Sequence, residues 1–490
     1  MTSLAAEPPI LGTDPNRWRA LVVIAIAQLM IVLDASIVNI ALPSIQADLG
    51  ISDADRQWAV TAYTLAFGSL LLLGGRIADY AGRKRMFIVG LIGFAAASAL
   101  GGVAVNAPML FAARGLQGAF AAILAPAALS LISVTFVDSK ERAKAFGVYG
   151  ALSGGGAAIG LVVGGILTEY ASWHWCLLVN IPIAVLAVFL AIPFVRESRA
   201  TGDTKYDIPG AITATLGLFF LVFGITKAES DGWTGTSTLS FGAIAFALLA
   251  VFIVIETRTS HPLLPLRILL ERNRGGAYLS SFFVGAGLFS MFLFISYFFQ
   301  AVKGYSPLTS GLLFLPFSAG IVISAGIASQ LLPRFGPRWV TFIGFIMATT
   351  GMALYLRLSP ESGYVDGVLP SIIIMSLGMG LIFVPLSAVA LYGVGNHDAG
   401  VASAVLNTSQ QIGGSIGVAF LNTIAASATT AYVVTNQLAG PTPEALVSGF
   451  HATFIWSTVI LGVAGLIWVF LVRMSKEDMA SGDAAHALVG

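Results

Sequence analysis

The sequence is poor in charge and has almost no cysteine. Charged residues make up 10% of the 490 positions, against roughly 25% in an average soluble domain, which argues against a soluble globular chain. The formal net charge of +1 gives no reason to expect nucleic acid or an acidic partner. Cys176 is the only cysteine, so an intrachain disulfide is excluded. Its neighbours WHWCLLVN favour a small buried hydrophobe over a nucleophile.

In place of charge, the sequence has long apolar segments. Hydrophobic residues make up 57% of the chain, and the mean hydropathy is +0.88. A helix needs about 20 apolar residues to cross the hydrocarbon core, and fourteen segments meet that length, the first an uncleaved helix after Arg17 and Arg19. They cover approximately residues 20–42, 57–77, 86–105, 108–134, 143–168, 173–195, 208–227, 236–256, 275–301, 308–332, 338–357, 367–393, 400–431 and 450–473.

Both termini are predicted to be cytoplasmic. Fourteen crossings place them on one side of the membrane, and the positive-inside rule identifies that side. With this orientation, about 20 of the 25 Lys and Arg residues fall on the inner side. That bias supports both the count and the orientation.

Two long polar inner connections, 195–207 and 256–274, divide the predicted helices into groups of six, two and six. Two six-helix halves around a central site are common among secondary transporters. The predicted domains are an N-terminal six-helix bundle (1–200), two additional linking helices (201–262), a C-terminal six-helix bundle (263–476) and a cytoplasmic tail (477–490).

The inner loop between predicted helices 2 and 3 reads GGRIADYAGRKRMF. A positive-inside anchor joined by a glycine turn explains its basic residues but not Asp79. A carboxylate there suits the positive end of a neighbouring helix, and predicted helix 13 begins on the same side after NHDAG. A contact that forms in one state and breaks in another would be a gate. The predicted gating loop consists of Gly75, Asp79, Gly82, Arg83 and Lys84.

One acidic residue, Asp34, lies well inside a predicted helix, in the stretch LDASIVNIALP. At 1.5 Å per residue, Asp34 lies about 13 Å below the outer edge of the membrane. Arg114, on predicted helix 4, lies about 9 Å below the same edge. The two side chains are therefore within reach in depth. A charged side chain near the centre of the membrane costs at least about 2.5 to 3.5 kcal/mol. We therefore expect Asp34 to have a structural or a transport role. One hypothesis is a structural salt bridge; the other is a proton carrier whose alternating surroundings bind a proton from one side and release it to the other.

Polar stripes on other predicted helices indicate where a small-molecule cargo would lie. Arg114 and Gln117 share a face of helix 4 by i, i+3 spacing, and a longer stripe follows helix 13. Hydrogen bonding between helices explains such stripes as well as a cavity does. The predicted cavity residues are Asn39, Tyr63, Gln117, Tyr297, Gln300, Asn407, Gln410 and Gln411.

Several of these stretches resemble one family. GGRIADYAGRKR resembles the loop signature of the major facilitator superfamily, and LDASIVNIALP resembles the first-helix signature of its fourteen-helix drug:proton antiporters. The likeness continues in order through LFAARGLQGAFAA, GAAIGLVVGGIL, SWHWCLLVNIP, QAVKGYSPLTSGLLFLP and NHDAGVASAVLNTSQQIGG. It implies an all-α membrane protein with the major facilitator fold, which is not an enzyme and exports small hydrophobic or cationic compounds in exchange for protons, as in multidrug efflux and antibiotic resistance.

The sequence departs from the family pattern at two positions. Tyr80 replaces a usual basic residue in the loop, and Leu161 stands where the helix 5 antiporter motif usually has proline. Losing the proline removes an expected kink, which weakens the case for antiport. The glycines Gly156, Gly160, Gly164 and Gly165 remain, and glycines four apart let helices approach closely. An exporter of an endogenous metabolite or lipid, with weak or no proton coupling, is the alternative.

The resemblance also implies location, partners and mechanism. We expect a multi-pass protein of the bacterial inner (cytoplasmic) membrane, with a small-molecule substrate and the lipid bilayer as partners, no nucleic acid, and a monomeric state. No metal or cofactor is expected, and protons would be the coupling ion. Rocking of helices 1–6 against helices 9–14 would be the mechanism, with Asp34 as proton carrier, Arg114 as its modulator and the Asp79 loop as inner gate.

Overall fold

The computed structural model describes residues 15–53, 55–136, 138–199, 207–259, 262–264, 266–394 and 399–474. Within these ranges the regular structure is helical, and no strand occurs. Helices suit a membrane because they satisfy their backbone polar groups internally. The α-helices are α1 (Arg17–Leu49), α2 (Trp58–Ala81), α3 (Arg83–Gly102), α4 (Ala107–Thr135), α5 (Ser139–Tyr170), α6 (His174–Leu178), α7 (Asn180–Phe194), α8 (Ile208–Asp231), α9 (Thr236–Arg258), α10 (Leu266–Leu269), α11 (Arg272–Tyr297), α12 (Pro307–Leu313), α13 (Leu315–Leu354), α14 (Leu369–Leu391), α15 (Ala399–Thr435) and α16 (Pro443–Leu471).

Twelve helical stretches in the described ranges are long and apolar enough to cross a membrane. One of them, Pro307–Arg357, has 51 residues, far more than the roughly 20 that one crossing needs. Its backbone leaves helical geometry at Gly336, where φ is 75° and ψ is 164°. The apolar part of α5, Gly156–Tyr170, is shorter than the twelve. The count of fourteen crossings, the cytoplasmic termini and the domain boundaries stay predictions.

The helices form two packed groups with α8 and α9 beside them. In the first group α1 packs on α5 and α7, and α2 and α3 pack on α4. In the second, α13 packs on α14, and α11 packs on α15 and α16. The groups, called here the N-terminal and C-terminal halves, meet where α2 contacts α15 and α5 contacts α12, and α8 lies against both α2 and α15.

Glycines allow the closest approaches between helices. Gly160 and Gly164 of α5 face the backbone of α1, where an added Cβ would lie 3.0 Å from the carbonyl oxygens of Leu33 and Ile37, respectively. Gly156 faces Val32 of the same helix at 3.1 Å. Gly165 faces α12, and its Cβ would meet the backbone of Pro307 at 2.8 Å. The four glycines of the helix 5 motif thus bring α5 close to α1 in its own half and to α12 in the other half.

A matched pair of glycines on α4 tests this packing. A Cβ at Gly118 would collide with the backbone carbonyl of Tyr63 on α2, whereas one at Gly115 has no neighbour within 4 Å. We expect Gly118→Ala to lower the free energy of unfolding by about 1–3 kcal/mol, because a backbone contact cannot move aside cheaply. Gly115→Ala should be neutral or stabilising by about 0.5–1 kcal/mol. Thermal unfolding in detergent checks both, and equal melting temperatures for the two variants would contradict the expected packing.

Candidate functional site

The carboxylate of Asp34 lies at the meeting point of α1, α4 and α7. Asp34 is fully buried, and its Oδ2 accepts a hydrogen bond from Arg114 Nη1 at 2.6 Å. Its Oδ1 accepts from Gln117 Nε2 at 2.9 Å and from Asn180 Nδ2 at 2.8 Å. Three donors on one carboxyl group match the ionised form, which only accepts.

The guanidinium of Arg114 is held on several sides. Its side chain is 1% exposed, its Nε donates to the Ala59 carbonyl at 2.9 Å, and its Nη1 also donates to Gln117 Oε1 at 2.8 Å. The guanidinium carbon lies 4.5 Å from the centroid of the Tyr63 ring, a cation–π distance. A buried charge needs such partners, so Arg114 is locked in place opposite Asp34.

A serine organises the two amides beside Asp34. Ser98 Oγ accepts from Gln117 Nε2 at 2.9 Å and from Asn180 Nδ2 at 3.0 Å, and it donates to the Leu177 carbonyl at 2.8 Å. Both amide nitrogens are thereby directed toward the carboxylate. We call Asp34, Ser98, Arg114, Gln117 and Asn180 the Asp34 cluster.

Sequence reasoning missed Ser98 and Asn180. The depth of a residue in the membrane identifies partners for Asp34 among charged residues, and both of these side chains are neutral. The available signal was the stretch SWHWCLLVNIP, which places Asn180 at the first residue of α7, next to the break after α6.

A second polar cluster joins the two halves at the end of the bundle opposite the termini, called here the far end. Arg56 is only 3% exposed; its Nε donates to Asn422 Oδ1 on α15 at 3.0 Å, and its Nη1 donates to Asp53 Oδ1 at 3.2 Å. Its guanidinium carbon lies 4.1 Å from the Tyr297 ring centroid. Tyr297 in turn donates its hydroxyl to Gln46 Oε1 at 2.5 Å. Gln46, Asp53, Arg56, Tyr297 and Asn422 form the far-end cluster.

Further contacts hold the halves together at the far end. Gln300 Nε2 donates to the Ile40 carbonyl of α1 at 2.9 Å. The backbone N–H of Leu308 donates to Glu169 Oε2 at 3.1 Å. One bond joins the segment after α11 to α1, and the other joins α12 to α5. These bonds tie the two halves together on that side.

The predicted cavity residues lie in four places. Tyr63 and Gln117 adjoin Asp34, while Tyr297 and Gln300 lie in the far-end contacts described above. Asn39 is buried on α1 and donates to the Ala35 carbonyl at 3.1 Å. The remaining three residues lie on the first half of α15, which packs on α2. They are Asn407, which is exposed, and Gln410 and Gln411, which are half-buried.

Asp79 of the predicted gating loop pairs within its own segment. Its Oδ1 accepts from Arg83 Nε at 2.8 Å. Residues 395–398, just before predicted helix 13, lie outside the described residues, so the predicted contact between Asp79 and that helix stays a prediction. Gly75 packs on Pro126 of α4, where an added Cβ would lie 3.4 Å from the proline ring.

The first turn of α3 is capped by a carboxylate from beyond α7. Glu197 accepts from the backbone N–H groups of Lys84 and Arg85, each at 3.1 Å, as suits the positive end of a helix. Gly82 has a φ of 117°, and a Cβ there would lie 2.9 Å from the Glu197 carboxylate. Lys84 Nζ donates to the Ile192 carbonyl at 2.7 Å. The loop is thus tied to the end of α7.

A helical bundle of membrane-spanning length, with two halves joined at one end and a buried ion pair within one half, defines a membrane transport protein. The chain belongs to the Major Facilitator Superfamily, whose family model matches residues 24–418. The predicted family and the all-α major facilitator fold are confirmed. The chain is therefore a multi-pass transporter of the bacterial inner (cytoplasmic) membrane and not an enzyme.

Its relatives include proteins named for antibiotic resistance and export. The puromycin resistance protein pur8 of Streptomyces alboniger is 45% identical over 97% of this chain and 95% of its own. The cephamycin export protein CmcT of Amycolatopsis lactamdurans is 35% identical over 94% and 93%. Among solved structures, an inward-facing, unoccupied bacterial homologue of the human lysosomal transporter Spinster shares the fold, with a TM-score of 0.67, 17% identity, and coverage of 95% of this chain and 99% of that one.

Proposed function

We propose that the protein exports small organic compounds, hydrophobic or cationic, in exchange for protons. The Asp34 cluster is the observation that carries the proton part, because it holds an ionisable carboxyl group at 0% exposure beside a single guanidinium. The two relatives named above support the cargo, since one is named for resistance to puromycin and the other for cephamycin export.

The exchange follows from the charge of the ion pair. A proton on Asp34 would neutralise the carboxylate that faces Arg114 at 2.6 Å, and the attraction between α1 and α4 would weaken. Arg114 would keep its bonds to Ala59 and Gln117. Proton binding therefore changes how firmly α1 is held within the N-terminal half. In the proposed mechanism, this half rocks against the C-terminal half.

The contacts at the far end support a starting point for the cycle. With the far end closed, cargo and protons would exchange with the side that holds the termini, which is the predicted cytoplasmic side. Asp34 would lose its proton there and cargo would bind; opening of the far end would then release the cargo and admit a new proton. The Asp79 loop would serve as the gate on the terminal side.

The membrane potential supplies enough free energy for this exchange. One proton moving inward down 100 mV provides about 2.3 kcal/mol, which corresponds to roughly fiftyfold accumulation of a neutral cargo. Neither a metal nor a cofactor is required, and a monomer suffices because both halves lie in one chain.

Inside-out vesicles test the proposal. Vesicles with an imposed interior-acid proton gradient and a pH-sensitive dye receive puromycin or, separately, ethidium. We expect immediate proton release on addition of at least one compound, and none in vesicles without the protein. Binding of a compound without proton release would reject coupling, and the absence of any effect with either compound would favour a metabolite or lipid as cargo.

A further inference from the structure

The side-chain amide of Asn180 uses only one of its two polar ends. Its Nδ2 donates to both Asp34 Oδ1 and Ser98 Oγ. Its Oδ1 is buried and has no hydrogen-bond donor among the described residues. Buried polar atoms almost always have a partner, and an unpaired one is costly. The unpaired oxygen points to a second arrangement in which it accepts a hydrogen bond.

Protonation of Asp34 would create the missing donor. An ionised carboxylate only accepts hydrogen bonds, whereas a protonated carboxyl group also donates one through its O–H. The Nδ2 group that now faces Asp34 cannot accept that bond. A half-turn about the last torsion of Asn180, which is broad and roughly two-fold for this residue type, exchanges Nδ2 for Oδ1 and supplies the acceptor.

We propose that Asn180 is a positioning residue that serves both protonation states of Asp34: it donates to the carboxylate and, after an amide flip, accepts from the acid. This inference rests on the proposed proton coupling and deepens it. The flip keeps Asp34 paired in each state, so neither loading nor unloading the proton would leave its carboxyl group without a partner.

Gln117 cannot play this part. Its Nε2 donates to the same Asp34 oxygen, but its Oε1 already accepts from Arg114 Nη1 at 2.8 Å. A flip of Gln117 would set an amide N–H₂ group against the guanidinium. Ser98 is compatible with the Asn180 flip, because its hydroxyl, which now donates to Leu177, can rotate to donate to the amide oxygen.

Three other charged or titratable groups lie near Asp34 on the helices packed around it. They are Arg114 of α4, Tyr63 of α2, whose ring lies against that guanidinium, and the Cys176 thiol of α6, which lies 3.2 Å from Thr168 Oγ1. The variants used below leave all three side chains in place, so differences between the variants report on the amide.

Infrared spectroscopy tests the flip directly in the reconstituted protein. Asparagine labelled with carbon-13 at the side-chain carbonyl separates its C=O stretch from the backbone bands. A difference spectrum between acidic and alkaline pH should show one labelled band moving to lower frequency on acidification, because the Asn180 carbonyl gains an O–H donor. The shift should be absent in Asp34→Asn, which has no proton to donate, and in Asn180→Leu.

Asn39 provides a matched control for the infrared signal. It too is a buried asparagine with its Nδ2 bonded and its Oδ1 unpaired, but its partner is a backbone carbonyl. The acid-induced shift should persist in Asn39→Ala. If the unsubstituted protein shows no labelled band that depends on Asp34, or if the band survives in Asn180→Leu, the inference is wrong. Asn180→Ala replaces the leucine variant if that one does not fold.

Transport separates this inference from the proposed function. Asn180→Leu should slow proton-coupled export by roughly tenfold to a hundredfold, the equivalent of one hydrogen bond to a charged group. An Asp34-dependent band without substrate-induced proton release would reject coupling and leave the role of Asn180 intact. Proton release without the band would reject the amide flip alone.

Discussion

Replacing Asp34 by asparagine is expected to abolish proton-driven accumulation of cargo. At 100 mV the concentration ratio of a neutral cargo should fall from roughly fiftyfold to one, because the variant has no carboxyl group to carry the proton. Cargo binding and exchange of labelled for unlabelled cargo should remain measurable, since the introduced amide still offers an oxygen to Arg114. Uptake into inside-out vesicles under an imposed gradient measures the ratio of cargo concentrations. Equilibrium exchange of labelled for unlabelled cargo in the same vesicles measures the binding and exchange that remain.

Asp48 provides the matched control for this substitution. It is the exposed acid near the far end of the same helix, and its Oδ2 accepts from Trp173 Nε1 at 2.9 Å, a bond that an asparagine oxygen can also accept. Asp48→Asn should accumulate cargo normally. Full accumulation by the Asp34 variant would show that the ion pair is structural and that protons, if coupled, bind elsewhere.

The stability of the Asp34 variant discriminates further between the two hypotheses for the ion pair. Removing one partner of a buried pair typically costs about 3–5 kcal/mol, because the other charge is left uncompensated. Here Arg114 keeps the Ala59 carbonyl, Gln117 Oε1 and the Tyr63 ring. We expect a cost at the low end of that range and a folded variant. A protein that unfolds on this substitution but not on Asn180→Ala would indicate a mainly structural pair.

The pairing of Asp34 with Arg114 was predictable because charge at membrane depth is rare and expensive. Once two such residues were found at similar depth on neighbouring helices, few other partners were available to either. Gln117 was less predictable: its i, i+3 relation to Arg114 placed it on the correct face of α4, but the spacing could not distinguish a cavity wall from a bond to Asp34.

Neutral side chains and contacts between the halves could not be predicted from the sequence. Ser98 and Asn180 carry little penalty inside a membrane helix, so nothing in composition singles them out. Arg56 was counted only as one of the few positive charges outside the inner loops. Its burial depends on how α2 meets α11 and α15, which no local pattern encodes. The apolar segments predicted the helices well, including the separation of 308–332 from 338–357, which brackets the break at Gly336. The division into α6 and α7 needed backbone geometry.

Replacing Arg56 by alanine is expected to open the far end. The lost interactions are a charge-assisted hydrogen bond to Asn422 across the halves, of about 1.5–3 kcal/mol, and a cation–π contact with Tyr297 of about 0.5–1 kcal/mol or more. A total of about 2 kcal/mol or more shifts the equilibrium between closed and open far ends by roughly thirtyfold or more. The rate of export should also fall. A transporter that rests open at the far end presents its site less often to cargo on the terminal side.

Spin labels at exposed positions of the two halves measure this opening. Ala47→Cys near the end of α1 and Val434→Cys near the end of α15 are both exposed at the far end, and Cys176→Ser removes the native thiol. Arg56→Ala should add a longer distance between the labels. Lys303→Ala is the control, because Lys303 is also a cation near the far end but donates to the Pro360 carbonyl within its own half at 2.9 Å. If both variants give the distance distribution of the unsubstituted protein, Arg56 fills space at the interface without holding it shut. The other bonds across the halves, which include those of Tyr297, Gln300 and Leu308, would then carry the closure.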